Sequence, residues 1–223
     1  MMVMADRVLL VEGESDRSFF VEVCKTLGLE TSVEVALPKD SGGFHNGKEG
    51  VFNILPIWLN QLADATVTRL AVVVDADSAA NGSGYQHVID KVENIVNPHG
   101  FTLASDPVGG LLFQHDDGWA DFGLWVMPNN GDEGMLEDWI KSCVHSNEHK
   151  LFTHAKEVVG ELSPPKFKPI HRSKAEVATW LAWQKQPGHG LYRAVEDQLI
   201  DMNSELFLEL KDWLTHIYSS EDI

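Results

Sequence analysis

The chain has 223 residues, 43% of them hydrophobic, and a net charge of −17. That length can bury a full core, and the acidic balance excludes a protein that coats nucleic acid by counterion release, which needs clustered Lys and Arg. No run approaches the roughly 20 apolar residues that span a bilayer, and Met1 to Arg7 lacks the basic start and apolar stretch of a signal peptide. The expectation is a cytoplasmic protein with no membrane partner. Cys24 and Cys143 are too few for a disulfide framework and lack Cys-x-x-Cys spacing, so they read as buried structural thiols.

The first element is Val8-Leu9-Leu10-Val11, an apolar run ending in Glu12-Gly13-Glu14-Ser15-Asp16. Such a run reads as a buried parallel strand with its carboxylate at the C-terminal tip. Ser15 to Leu27 carries Phe19, Phe20, Val23, Cys24 and Leu27 at helical spacing and stops at Gly28. Val33 to Leu37 alternates as a second strand. Lys39 to Gly47 is a glycine-rich loop before a helix from about Glu49 to Ala63. Gly42, Gly43 and Gly47 with Lys39 and Lys48 fit no Walker A or dinucleotide fingerprint, and a connector is the simpler reading.

Leu70 to Val74 is the third strand and runs into Asp75-Ala76-Asp77, followed by a helix from about Tyr85 to Asn97. Three β-α units in succession predict a parallel sheet with right-handed crossovers. Phe101–Leu103, Gly110–Phe113 and Gly123–Met127 are shorter strands, with the turn Asp116-Asp117-Gly118 between two of them, and predict an antiparallel edge. A helix begins near Asp132, its first-turn acids matched to the macrodipole. Ala175–Gln184, Leu191–Ile200 and Ser204–Tyr218 are periodic helical segments. The domain expectation is an α/β unit over 6–140 and a helical C-terminal extension over 141–223 packed on it.

Strand tips are where open α/β sheets bind ligands. Glu12 with Asp75 and Asp77 would concentrate negative charge there, which a divalent cation relieves most simply. Alternate strand residues share a face, so Asp75 and Asp77 can reach one ion. Glu133 and Glu137, four apart on the predicted helix, can point into the same crevice, or else compensate the helix dipole with Asp132 and Asp138. Asp16 with Ser15 reads equally as an ordinary N-cap. His145 and His149 have helical ligand spacing but no third ligand and read as surface histidines. Trp139, Trp180, Trp183 and Trp213 fall on apolar helical faces and read as core.

Together, Val11-Glu12-Gly13-Glu14-Ser15-Asp16 and Val73-Val74-Asp75-Ala76-Asp77 resemble the Toprim domain over roughly residues 6 to 140. Ser173 to Gln184, followed by Pro187-Gly188, resembles the bacterial Toprim-related proteins of the DUF3226 type. The resemblance implies a Toprim-like (Rossmann-like), mostly parallel α/β sheet flanked by helices. It implies Glu12 as the proton-transfer or metal-binding glutamate, Asp75 and Asp77 as Mg²⁺ ligands, and Asp16 as the acidic position of the nuclease-like branch. Glu133 or Glu137 would recruit a second metal. The implied activity is Mg²⁺-dependent (or Mn²⁺-dependent) hydrolysis of DNA or RNA phosphodiesters, with nucleic acid as partner.

Nothing in the chain supplies a topoisomerase or primase architecture, and no Walker A is present, so an ATPase of the kind that accompanies OLD nucleases would be a separate partner. The rival expectation is a non-catalytic metal- or nucleotide-binding subunit of a larger complex, for instance in phage defence. Convergence of Lys39, Lys48, Lys166, Lys168, His171, Arg172 and Lys174 beside the acids would favour a nucleic-acid channel.

Overall fold

A computed structural model describes residues 6–36, 47–104 and 109–219. The strands are β1 (Arg7–Val11), β2 (Ser32–Val35), β3 (Arg69–Asp75), β4 (Phe101–Leu103), β5 (Leu111–His115) and β6 (Phe122–Met127). They form one sheet in the order β2-β1-β3-β6-β5-β4. β2, β1, β3 and β6 pair in parallel. β5 and β4 add an antiparallel edge, as the turn residues predict.

Both faces of the parallel strands are buried, which explains their unbroken apolar sequences. On β1, β3 and β6, Leu9, Val11, Ala71, Val73, Trp125 and Met127 face one core. Val8, Leu10, Leu70, Val72, Val74, Leu124 and Val126 face the other. The second core is covered by α2 (Lys48–Ala63) and α3 (Tyr85–Val96). The first is covered by α1 (Glu14–Leu27), α4 (Leu136–Ser142), α5 (His149–Gly160), α6 (Arg172–Ala182), α7 (Arg193–Glu196) and α8 (Glu205–Ser219).

The C-terminal helices therefore share the sheet's own core. Trp213 lies against Trp125 with ring centroids 5.5 Å apart. Tyr218 Oη donates to Val8 O at 2.7 Å, and Arg7 donates to Tyr218 O at 2.8 Å. At Gly123, β6 packs close under α8. A methyl there would run into Ile217 Cδ1, with Trp213 Cζ2 at 3.1 Å and Ala71 Cβ at 3.2 Å. Gly123→Ala is expected to lower stability by about 1–3 kcal/mol through overpacking, read by urea denaturation; an unchanged midpoint would contradict this packing.

The structure corrects several expected boundaries. The helix expected from Asp132 starts only at Leu136, because Gly134 exchanges two backbone hydrogen bonds with Asp77 (2.8 and 2.9 Å) and cannot join it. Leu191–Ile200 is not one helix: Gln198 takes a left-handed φ of 54° and Ile200 bridges to Val144. Residues 149–160 form a helix, α5, that the periodicity reading passed over. Trp183, expected in the core, is 40% exposed beside His154, since α6 ends at Ala182 and Trp183 leaves the apolar stripe. Cys24 and Cys143 are buried, and burial pushes their thiols up to about 12 and about 11. Most of the glycine-rich loop, with Lys39, Gly42 and Gly43, lies outside the described residues. No helix among the described residues is long and apolar enough to cross a membrane.

Candidate functional site

After β1 the chain passes to β2 on one side and then to β3 on the other, so the gap between β1 and β3 is the switch point of the sheet. In open α/β sheets the crevice that takes a ligand lies at such a switch point, beyond the carboxyl ends of the strands. Register pairs Val11 with Val73, which brings Glu12 level with the end of β3. Glu12 Oε1 accepts the Asp75 N–H at 2.7 Å. Asp75 Oδ1 in turn accepts the Leu136 N–H at 2.9 Å, supplying an acceptor for a first-turn donor of α4. The second oxygen of each carboxylate accepts no hydrogen bond among the described residues.

Burial pushes the Glu12 carboxyl up to about 7, against the Asp75 N–H and the Lys48 charge, which favour ionisation; Asp16 and Asp77 add to the rise. Asp75 is raised well above the ordinary carboxylate range by burial and then by Glu12, Asp16 and Glu137, with Lys174 opposing. Asp16 is also raised, chiefly by burial, with Glu137 adding to it. Glu12, Asp75 and Asp16 thus crowd negative charge at the partly dry strand tips, and Asp77 and Glu137 add to it. That is an electrostatic deficit which a cation would fill.

The other acids take separate partners. Asp77 is past the end of β3 in a left-handed conformation (φ 57°), so it does not share a strand face with Asp75 as expected. Its Oδ2 lies 2.6 Å from Lys48 Nζ. Glu133 is off the helix and accepts the Ala79 N–H at 2.9 Å, which separates it from Glu137. Glu137, 6% exposed, receives Lys174 Nζ on both oxygens at 3.1 Å. Burial works to lower the Lys174 pKa, but Glu137, Asp75 and Asp16 outweigh it and hold the ammonium charged. The N-cap of α1 is Gly13, not Ser15 or Asp16.

Sequence reasoning missed what fastens α6 to α4. Glu176, 2% exposed, pairs with Lys141 Nζ (2.8 Å) and Arg172 Nε (2.8 Å), while Ser173 bridges Lys141 and Asp138. This latch places Lys174 over Glu137. Of the cations expected to converge, Lys48 and Lys174 reach the acids; Arg172 is held by Glu176, and Lys166, Lys168 and His171 are exposed. His145 and His149 bond to Asn147 and to Val144 O.

The model of the family described as "Protein of unknown function (DUF3226)" matches residues 6–219. The chain belongs to the DUF3226 family. No curated protein and no solved structure matches it. Among the described residues, no three carboxylate, imidazole or thiol groups form a ready-made metal cage. The donor set at the crevice is nevertheless all oxygen and short of positive charge. Mg²⁺ binds through one or two carboxylates and keeps several waters, so Glu12 and Asp75 suit it by type and number.

Proposed function

We propose that this DUF3226 protein is a Toprim-type, Mg²⁺- or Mn²⁺-dependent phosphodiester hydrolase acting on nucleic acid, with its centre at Glu12 and Asp75. The observation that carries the reading is the contact of Glu12 with the Asp75 N–H at the β1/β3 switch point, where the glutamate is raised to about 7. A carboxyl near 7 without metal is divided between its two protonation states at neutral pH, so it can give up its proton to ligate an incoming divalent ion or, left free of the ion, take a proton from water. A divalent ion on Glu12 and Asp75 would neutralise phosphoryl charge and acidify a bound water.

The remaining roles fall to the chain itself. The Leu136 N–H fixes one Asp75 oxygen and leaves the other for a ligand. Lys174, kept charged by Glu137, Asp75 and Asp16, offers an ammonium for a non-bridging phosphate oxygen. Asp16 helps keep Lys174 charged and supplies a third carboxyl of raised pKa.

The net charge of −17 and the pairing of both nearby lysines to acids favour a second reading, a metal- or nucleotide-binding subunit of a larger assembly. Cleavage of labelled single-stranded DNA, double-stranded DNA and structured RNA with Mg²⁺ or Mn²⁺ separates the two. Turnover by the wild type, lowered by about 100-fold or more in Glu12→Gln, is the expected result for removal of a general base or metal ligand. A folded, metal-binding wild type that cleaves none of the three contradicts the hydrolase and leaves the binding subunit.

A further inference from the structure

The acidic crevice already holds one cation, and it is part of the chain. Lys48 Nζ lies 2.6 Å from Asp77 Oδ2, 2.7 Å from Asp75 O and 2.8 Å from Ser83 Oγ, with Ala76 O at 3.4 Å. An ammonium has three N–H donors and no acceptor, so the three short contacts saturate it. Carboxylate, carbonyl and hydroxyl oxygens are also the ligands a hard divalent ion takes. Lys48 is the first residue of α2, where the helix dipole disfavours a cation. Its side chain is only 13% exposed.

The cage around it is built from independent parts. Asp77 is pinned by its paired backbone hydrogen bonds to Gly134. Ser83 Oγ donates to Ala76 O at 2.8 Å, which orients its lone pairs for Lys48.

We propose that Lys48 is a resident cation of the crevice, filling the oxygen cage at Asp77 so that the protein takes a single divalent ion, on Glu12 and Asp75. Asp77 is then a positioning residue that holds Lys48, and not a metal ligand. The proposal rests on the metal reading above and deepens it. It predicts a stoichiometry and a ranking of the two aspartates that an ordinary Asp-x-Asp ligand pair does not have.

The test is Mn²⁺ titration of the full chain, with free Mn²⁺ followed by electron paramagnetic resonance, on the wild type, Asp77→Asn, Asp75→Asn and Lys48→Met. The wild type is expected to bind one ion. Asp77→Asn loses no more than the about 10–100-fold of a group beyond the ligands, whereas Asp75→Asn loses more than about 100-fold. Lys48→Met, with its cage vacated, binds a second ion. Two ions on the wild type, Asp77→Asn as damaging as Asp75→Asn, or a folded Lys48→Met that still binds one ion would each overturn the proposal while sparing the metal site. No binding by the wild type would overturn the metal reading and this proposal with it. If Lys48→Met does not fold, the wild-type stoichiometry and the aspartate ranking decide alone.

Discussion

Glu12→Gln is expected to stabilise the metal-free protein by about 3 kcal/mol at pH 8 while removing the proposed hydrolase activity. Burial raises the Glu12 carboxyl from 4.5 to about 7. Below about pH 4.5 it is protonated in folded and unfolded chains alike and contributes no pH dependence. As pH rises from about 4.5 to about 7, the unfolded chain has released the proton that the folded chain still holds, so stability falls. Above about 7 the penalty is constant. Gln keeps the acceptor for the Asp75 N–H and never ionises, so the penalty disappears, and Asp75 loses its strongest acidic neighbour as well.

Urea denaturation across pH should therefore give wild type and variant nearly equal stabilities near pH 4, with the variant ahead by pH 8. Saturating Mg²⁺ should restore the wild type by about 2.7 kcal/mol at a hundredfold excess over Kd, and should leave the variant where it was. A wild type more stable than Glu12→Gln at pH 8 without metal would contradict the electrostatic account.

Trp213→Ala is expected to remove about 3–5 kcal/mol, a large fraction of a typical domain's stability. The indole is fully buried, packs on Trp125 of β6, donates to Leu111 O at 3.3 Å and fills the space above Gly110, where a methyl would lie 2.6 Å from its ring. One side chain of α8 thus touches β5, β6 and the segment leading into β5. Unfolding should remain a single transition, with hydrogen exchange accelerated across the parallel strands as well as α8. Loss of protection confined to residues 205–219 would show instead that α8 is an appendage.

Local pattern made the strands legible. Val8–Val11 and Leu70–Val74 are apolar throughout because both faces of β1 and β3 are buried, and their terminal acids mark the crevice. The partners of those acids were illegible, because periodicity reports one element at a time. Lys48 meets Asp77 across 29 positions, and Lys174 meets Glu137 across 37. No short window contains both members of either pair. The shared strand face expected of Asp75 and Asp77 fails for a related reason: strand alternation assumes that the strand continues, and the Asp77–Gly134 bridge ends it. The same bridge removed Glu133 from the helix on which its spacing to Glu137 had meaning.

The most direct test of the central claim is anomalous diffraction from crystals soaked in Mn²⁺. The account predicts a peak in the crevice between β1 and β3, coordinated by a carboxylate oxygen of Glu12 and one of Asp75 at about 2.0–2.2 Å. A Mn²⁺ peak held by other residues, or a crevice that stays empty at saturating Mn²⁺ while Glu12 and Asp75 keep their places, would contradict it.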